Sequence, residues 1–143
     1  MNDLFNAALD HLPHGPEFRF IDRLTRLDPG RKGSGEYCVR GDEPFLRGHF
    51  PGDPLFPGVL LIEAAAQLAG TVAQSDPRVA PLQGLKLTAV RSMKILGTGR
   101  PGEMILLEAE ISGRLGNLVQ ARVTATLNGK VILEGSLTLS GDA

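Results

Sequence analysis

A histidine and a glutamate carry the chemistry this sequence can do. Residues 48–67 read GHFPGDPLFPGVLLIEAAAQ, with His49 on a glycine- and proline-rich loop and Glu63 fourteen residues later inside an apolar run. Acid–base catalysis needs one group to take a proton and another to give one. An imidazole titrates near neutral pH and accepts readily. A carboxyl group among apolar side chains is favoured in its uncharged form, because desolvation penalises the charged one. His49 as general base and Glu63 as general acid would be such a pair, each prepared by its own surroundings.

The elements that must position them follow from the pattern. Val59 to Ala73 is apolar on nearly every side, which predicts a helix buried all round. Pro57 suits its first turn, where a missing N–H is no loss, and Gly41 to Phe56 before it reads as loop. Asn2 to His11 has helical spacing, with Leu4, Phe5, Ala8 and Leu9 on one face, and Leu12-Pro13 ends it. Phe18 to Leu27 alternates with Ile21 out of phase, a strand with a bulge. Gly35 to Arg40 is a second strand, with Tyr37 and Val39 on one face. Gly84 to Ile95, Met104 to Ser112, Leu118 to Leu127 and Lys130 to Leu139 complete the set. Asn128-Gly129 joins the last two as a two-residue type I′ hairpin. A helix apolar on every side needs cover on every side. A curved antiparallel β-sheet wrapped around one long buried α-helix supplies part of it, and a second subunit the rest. The expectation is an α+β fold, one domain over residues 1–143, and a dimer.

Composition narrows the classes. A chain of 143 residues can bury a core without disulfides or metal. A formal net charge of −1 argues against nucleic acid as a partner. The lone Cys38 gives no disulfide framework, fits a reducing compartment, and in a strand reads as a small buried apolar residue. MNDLFNAALDHLPHG has no basic stretch followed by an apolar run, so no signal peptide is expected. Gly58 to Ala73 holds Glu63, Gln67 and Gly70 and falls short of the roughly 18 apolar residues of a membrane span. No membrane insertion is expected, and the default location is cytoplasmic. Gly97 to Gly102 fits G-x-G-x-x-G, but a strand pattern follows it where a dinucleotide site needs a helix. His11 and His14 could join His49 around a metal, yet no acidic or thiolate ligand is spaced to complete the set. No metal and no cofactor are expected. Taken singly, His49 could be a structural turn residue, and Glu63 could do no more than bond Gln67 one turn on.

The central segment resembles the active-site segment of the bacterial (3R)-hydroxyacyl-[acyl-carrier-protein] dehydratases, the FabZ family of hot-dog folds. Leu12-Pro13-His14 followed by Phe20-Ile21-Asp22-Arg23 is similar to that family's LPH…VDR signature. Asp42-Glu43-Pro44-Phe45 is similar to its Asn-Glu-Pro-Phe, Pro101-Gly102-Glu103 to its PGD turn, and Gly129-Lys130-Val131 to its final hairpin. The resemblance implies a hot-dog fold, a homodimer and often a trimer of such dimers. It implies that His49 and Glu63 are catalytic and meet across the dimer interface, one from each subunit. The Gly58 backbone N–H would face the thioester carbonyl from the start of the helix, glycine letting the substrate come close. Val59, Gln67 and His14 would complete the substrate site, with Gln67 orienting Glu63. The reaction implied is dehydration of a hydroxyacyl group carried on acyl carrier protein.

Two departures bear on substrate rather than chemistry. The family's Arg-Tyr-Pro after LPH, whose tyrosine often gates the acyl tunnel, is replaced here by Gly15-Pro16-Glu17. Its basic RFKRP run is replaced by Lys94-Ile95-Leu96-Gly97-Thr98, leaving Arg91, Lys94 and Arg100 to dock an acidic carrier protein. Hot-dog folds also host thioesterases, and a non-catalytic acyl-carrier-binding subunit is a third class. The last would be expected to lose His49 or Glu63. The isomerising branch of the dehydratases usually carries aspartate at the position of Glu63.

Overall fold

A computed structural model describes residues 2–142. Helix α1 (Asn2–Asp10) leads through a 3₁₀ turn (Pro16–Phe18) to β1 (Arg23–Asp28) and β2 (Lys32–Cys38). A second 3₁₀ turn (Pro44–Arg47) precedes α2 (Gly58–Gln74). Four strands follow: β3 (Lys86–Ile95), β4 (Met104–Leu115), β5 (Leu118–Leu127) and β6 (Lys130–Ser140). The six strands form one antiparallel sheet in the order β1-β2-β4-β5-β6-β3. This is the α+β arrangement expected from the pattern, and the hot-dog fold that the resemblance implies.

Alternation explains which side of the sheet is core. Ile105, Leu107 and Ala109 on β4, and Val119, Ala121, Val123 and Ala125 on β5, point inward and are buried. Against them lies α2, which packs on β2, β4, β5 and β6. Small residues on both layers let the helix sit close: Ala64, Ala65 and Ala69 on α2 meet a sheet face rich in alanine. Gly33 on β2 serves the same end, since a Cβ there would stand 2.8 Å from Val72 Cγ2. The last hairpin turns at Asn128 and Gly129, both at positive φ (51° and 80°), as a type I′ turn requires.

Several expectations need correction, among them β2, which runs Lys32–Cys38 where Gly35 to Arg40 reads as the strand. The strand read from Phe18 begins only at Arg23, because Phe18 lies in the 3₁₀ turn and the Phe20 amide bonds a glutamine side chain instead of a neighbouring strand. The bulge falls between Leu24 and Arg26. The second helix is not buried all round within one chain. Leu61, Leu68, Ala69 and Val72 are sealed, whereas Val59 is 69% exposed and Leu60 and Ile62 are half-buried. Cys38 is half-buried, its amide held by Asp22.

Candidate active site

The chain from Pro44 to Phe56 descends in short turns that leave little freedom at His49. The His49 N–H donates to Leu46 O (3.3 Å), Leu55 N–H donates to His49 O (2.8 Å), and Phe50 and Asp53 exchange both backbone bonds. The His49 ring stacks on Phe50 with centroids 4.1 Å apart. Nδ1 lies 2.8 Å from Leu55 O. A carbonyl only accepts, so Nδ1 carries the hydrogen and Nε2 keeps the lone pair of a neutral imidazole. That is the tautomer a base needs.

Support for this loop comes from both ends. Tyr37 O–H donates to Glu43, which also accepts from the Arg40 and Gly41 amides. Burial would raise the Glu43 carboxyl, but these donors outweigh it and hold the group below its ordinary value. Burial, and then the bond to Glu43, pushes the Tyr37 phenol up. On the far side, Phe56 N–H donates to Gly99 O (2.8 Å) and the Thr98 hydroxyl to Phe56 O. The glycine stretch 97–102 is thus a loop that fixes the entry to α2.

Glu63 stands on α2 one turn before Gln67, which is buried at 2% exposure. Gln67 Nε2 donates to Phe18 O (2.8 Å) and to Glu63 Oε2 (3.0 Å), while its Oε1 accepts from Phe20 N–H (2.9 Å). The amide cannot be flipped, because Phe20 N only donates and Phe18 O only accepts. His14 Nε2 lies 3.3 Å from the same Oε2. Glu63, Gln67 and His14 share the wall of a cavity of about 800 Å³ that runs along α2 past Ala66, Gly70 and Gln74 to Leu82–Leu87.

The other sequence-derived residues fall elsewhere. His49, Gly58 and Val59 do not line this cavity, and among the described residues no hydrogen bond or ion pair joins His49 to Glu63 within one chain. Gly58 and Val59 open α2, where Pro57 supplies no side-chain cap and the first amides lack helical acceptors. What a Cβ at Gly58 would strike is Ile95 on β3, 2.9 Å away. Arg91 and Lys94 are exposed on β3, opposite Ser136 and Glu134. Arg100 is ion-paired with Asp53 of the His49 loop (2.7 Å). His11 shares the cavity wall with His14, but among the described residues no group of three His, Cys, Asp or Glu side chains could hold a metal. Sequence reasoning assigned no role to Glu43, Asp53, Phe18 or Phe20. Glu43, Asp53 and Phe20 stood inside matched motifs, which was the available signal.

The profile of the FabA-like domain family matches residues 12–136. The chain is 36% identical over 131 residues to the 3-hydroxyacyl-[acyl-carrier-protein] dehydratase FabZ of Caldicellulosiruptor saccharolyticus, covering 92% of this chain and 93% of that one. It is 37% identical to the FabZ of Ruminiclostridium cellulolyticum, covering 88% of each. Among solved structures it is similar to the dehydratase heterocomplex ApeI:P of Xenorhabdus doucetiae, with a TM-score of 0.80 at 17% identity, covering 94% and 91% of the two chains. Zebra fish thioesterase superfamily member 2 follows with a TM-score of 0.70 at 21% identity, covering 99% and 95%. At these identities the two structures speak for the fold alone.

Proposed function

The chain belongs to the FabA-like domain family, and from that premise we propose that it dehydrates (3R)-hydroxyacyl thioesters on acyl carrier protein to trans-2-enoyl thioesters. The observation that carries this reading is the state of His49: Leu55 O takes the Nδ1 hydrogen and leaves Nε2 as a base. His49 Nε2 removes the α-proton. The electrons pass towards the thioester oxygen, met by the first amides of α2 at Gly58 and Val59 and by the positive end of the helix dipole. The β C–O bond then breaks as protonated Glu63 gives its proton to the leaving oxygen, forming water. Proton exchange returns His49 and Glu63 to their starting states.

His49 and Glu63 act together in a homodimer, one from each subunit, and such dimers can assemble in threes. Arg91 and Lys94 meet the acidic carrier, and Arg100 does so less directly because Asp53 already holds it. The residues form one domain, working in the cytoplasm; no described helix is long and apolar enough to cross a membrane. A thioesterase on the same fold would release a free acid. Incubation with hydroxyacyl-carrier substrates of graded chain length, followed by mass spectrometry of the carrier, separates the two. Loss of one water with the acyl group still attached is the expected result. Release of the acyl group, or no change, would overturn the dehydratase reading.

A further inference from the structure

Two side chains converge on one oxygen of Glu63. Gln67 must donate to Oε2, since Phe18 O and Phe20 N fix its amide. His14 Nε2 stands 3.3 Å from that oxygen, and its ring stacks on Phe18 at 6.1 Å. His14 Nδ1 is buried with no partner among the described residues. A hydrogen on Nδ1 would be an orphaned donor, so the neutral ring places it on Nε2, the nitrogen nearer Glu63. Oε2 then accepts from Gln67 with His14 Nε2 beside it at 3.3 Å, and Glu63 Oε1 has no hydrogen-bond partner among the described residues. A carboxylic acid whose one oxygen accepts an N–H bond favours carrying its own hydrogen on the other.

We propose that His14 is a positioning residue that, with Gln67, makes Oε2 the accepting oxygen of Glu63 and sets the transferable proton on Oε1. This deepens the dehydratase reading and rests on it. Without His14 the carboxyl group could rotate about its bond, and its proton would be shared between two orientations. The other titratable side chains on the cavity wall, His11 and Lys86, make no hydrogen bond or ion pair with Glu63. Lys86 is turned to Gly84 O.

His14→Gln and His14→Asn separate this role from a wall or a packing role. Glutamine puts an amide where Nε2 stands; asparagine puts one only where Nδ1 stands. In the full-length protein, H14N should lose about 10- to 100-fold in kcat with KM nearly unchanged, and H14Q should recover most of that. The carbon-13 titration of the Glu63 carboxyl should move in H14N and return towards the parent curve in H14Q. Equal kcat in the two variants, a loss confined to KM, or a Glu63 titration indifferent to both overturns the proposal. The NMR arm needs no turnover. If the parent protein fails to dehydrate, the functional reading falls by that result alone, while the His14–Glu63 coupling is still decided.

Discussion

At His49 the Leu55 carbonyl accepts from Nδ1, and a neutral imidazole has a single N–H, so the opposite nitrogen is free to take a proton. At Glu63 the partners are donors, which suits a carboxyl oxygen and leaves its second oxygen open. Replacing either residue by alanine removes the proton transfer without removing a core side chain, since neither belongs to the buried cluster. His49→Ala and Glu63→Ala should each fold as the parent does and lose roughly 10²- to 10⁴-fold in turnover. Steady-state rates beside thermal unfolding curves check this, and parent-like turnover in either variant would remove that residue from the mechanism. The types and spacing of these two residues are legible in the sequence. Their partners are not, because Gln67 binds Phe18 and Phe20 across 49 and 47 residues, and nothing local marks such a pairing. The same bonds explain why a strand pattern at Phe18 gives way to a turn: the backbone groups that a strand would pair are taken by Gln67.

Among the elements, those with local signals are the ones the sequence places well. Asn128-Gly129 and the alternation of β5 give that strand from Leu118 to Leu127 without adjustment. Pro57 marks the start of α2 to within a residue. The loop that holds His49 carries no such periodicity, and its shape depends on Tyr37, Glu43 and the glycine stretch 97–102. Glu43 makes a testable link between this loop and pH. Its folded carboxyl lies below the ordinary value of 4.5, so the unfolded chain binds a proton more readily. Its contribution is therefore present above about pH 4.5 and lost as pH falls through the folded value. Urea midpoints measured from pH 7 to pH 3 should drop more steeply in the parent than in Glu43→Gln. That variant should already be weaker by about 1.5–3 kcal/mol at pH 7, the range for hydrogen bonds to a charged group. Parallel curves would mean that Glu43 does not couple the loop to acid stability.

At the scale of the molecule, four of the exposed apolar residues fall at the start of α2 and along or just after β3. Val59 is 69% exposed, Val90 50%, Ile95 46% and Leu96 59%. Ile95 lies against Gly58, so the open start of α2 and the outer part of β3 form one surface. Strand β3 is also an edge of the sheet, with one side of its backbone unpaired. A second copy against this surface would cover the apolar residues, pair the edge and carry its own His49 towards the first copy's Glu63. A symmetric dimer has two such composite sites. Mixing His49→Ala with Glu63→Ala then gives heterodimers in which one site has lost both groups and the other has kept both. With random exchange half the dimers are mixed, so activity should return to about a quarter of the parent level from two inactive preparations. Native mass spectrometry of one isotope-labelled variant verifies the exchange. No recovery after verified exchange would mean that both residues serve from the same chain.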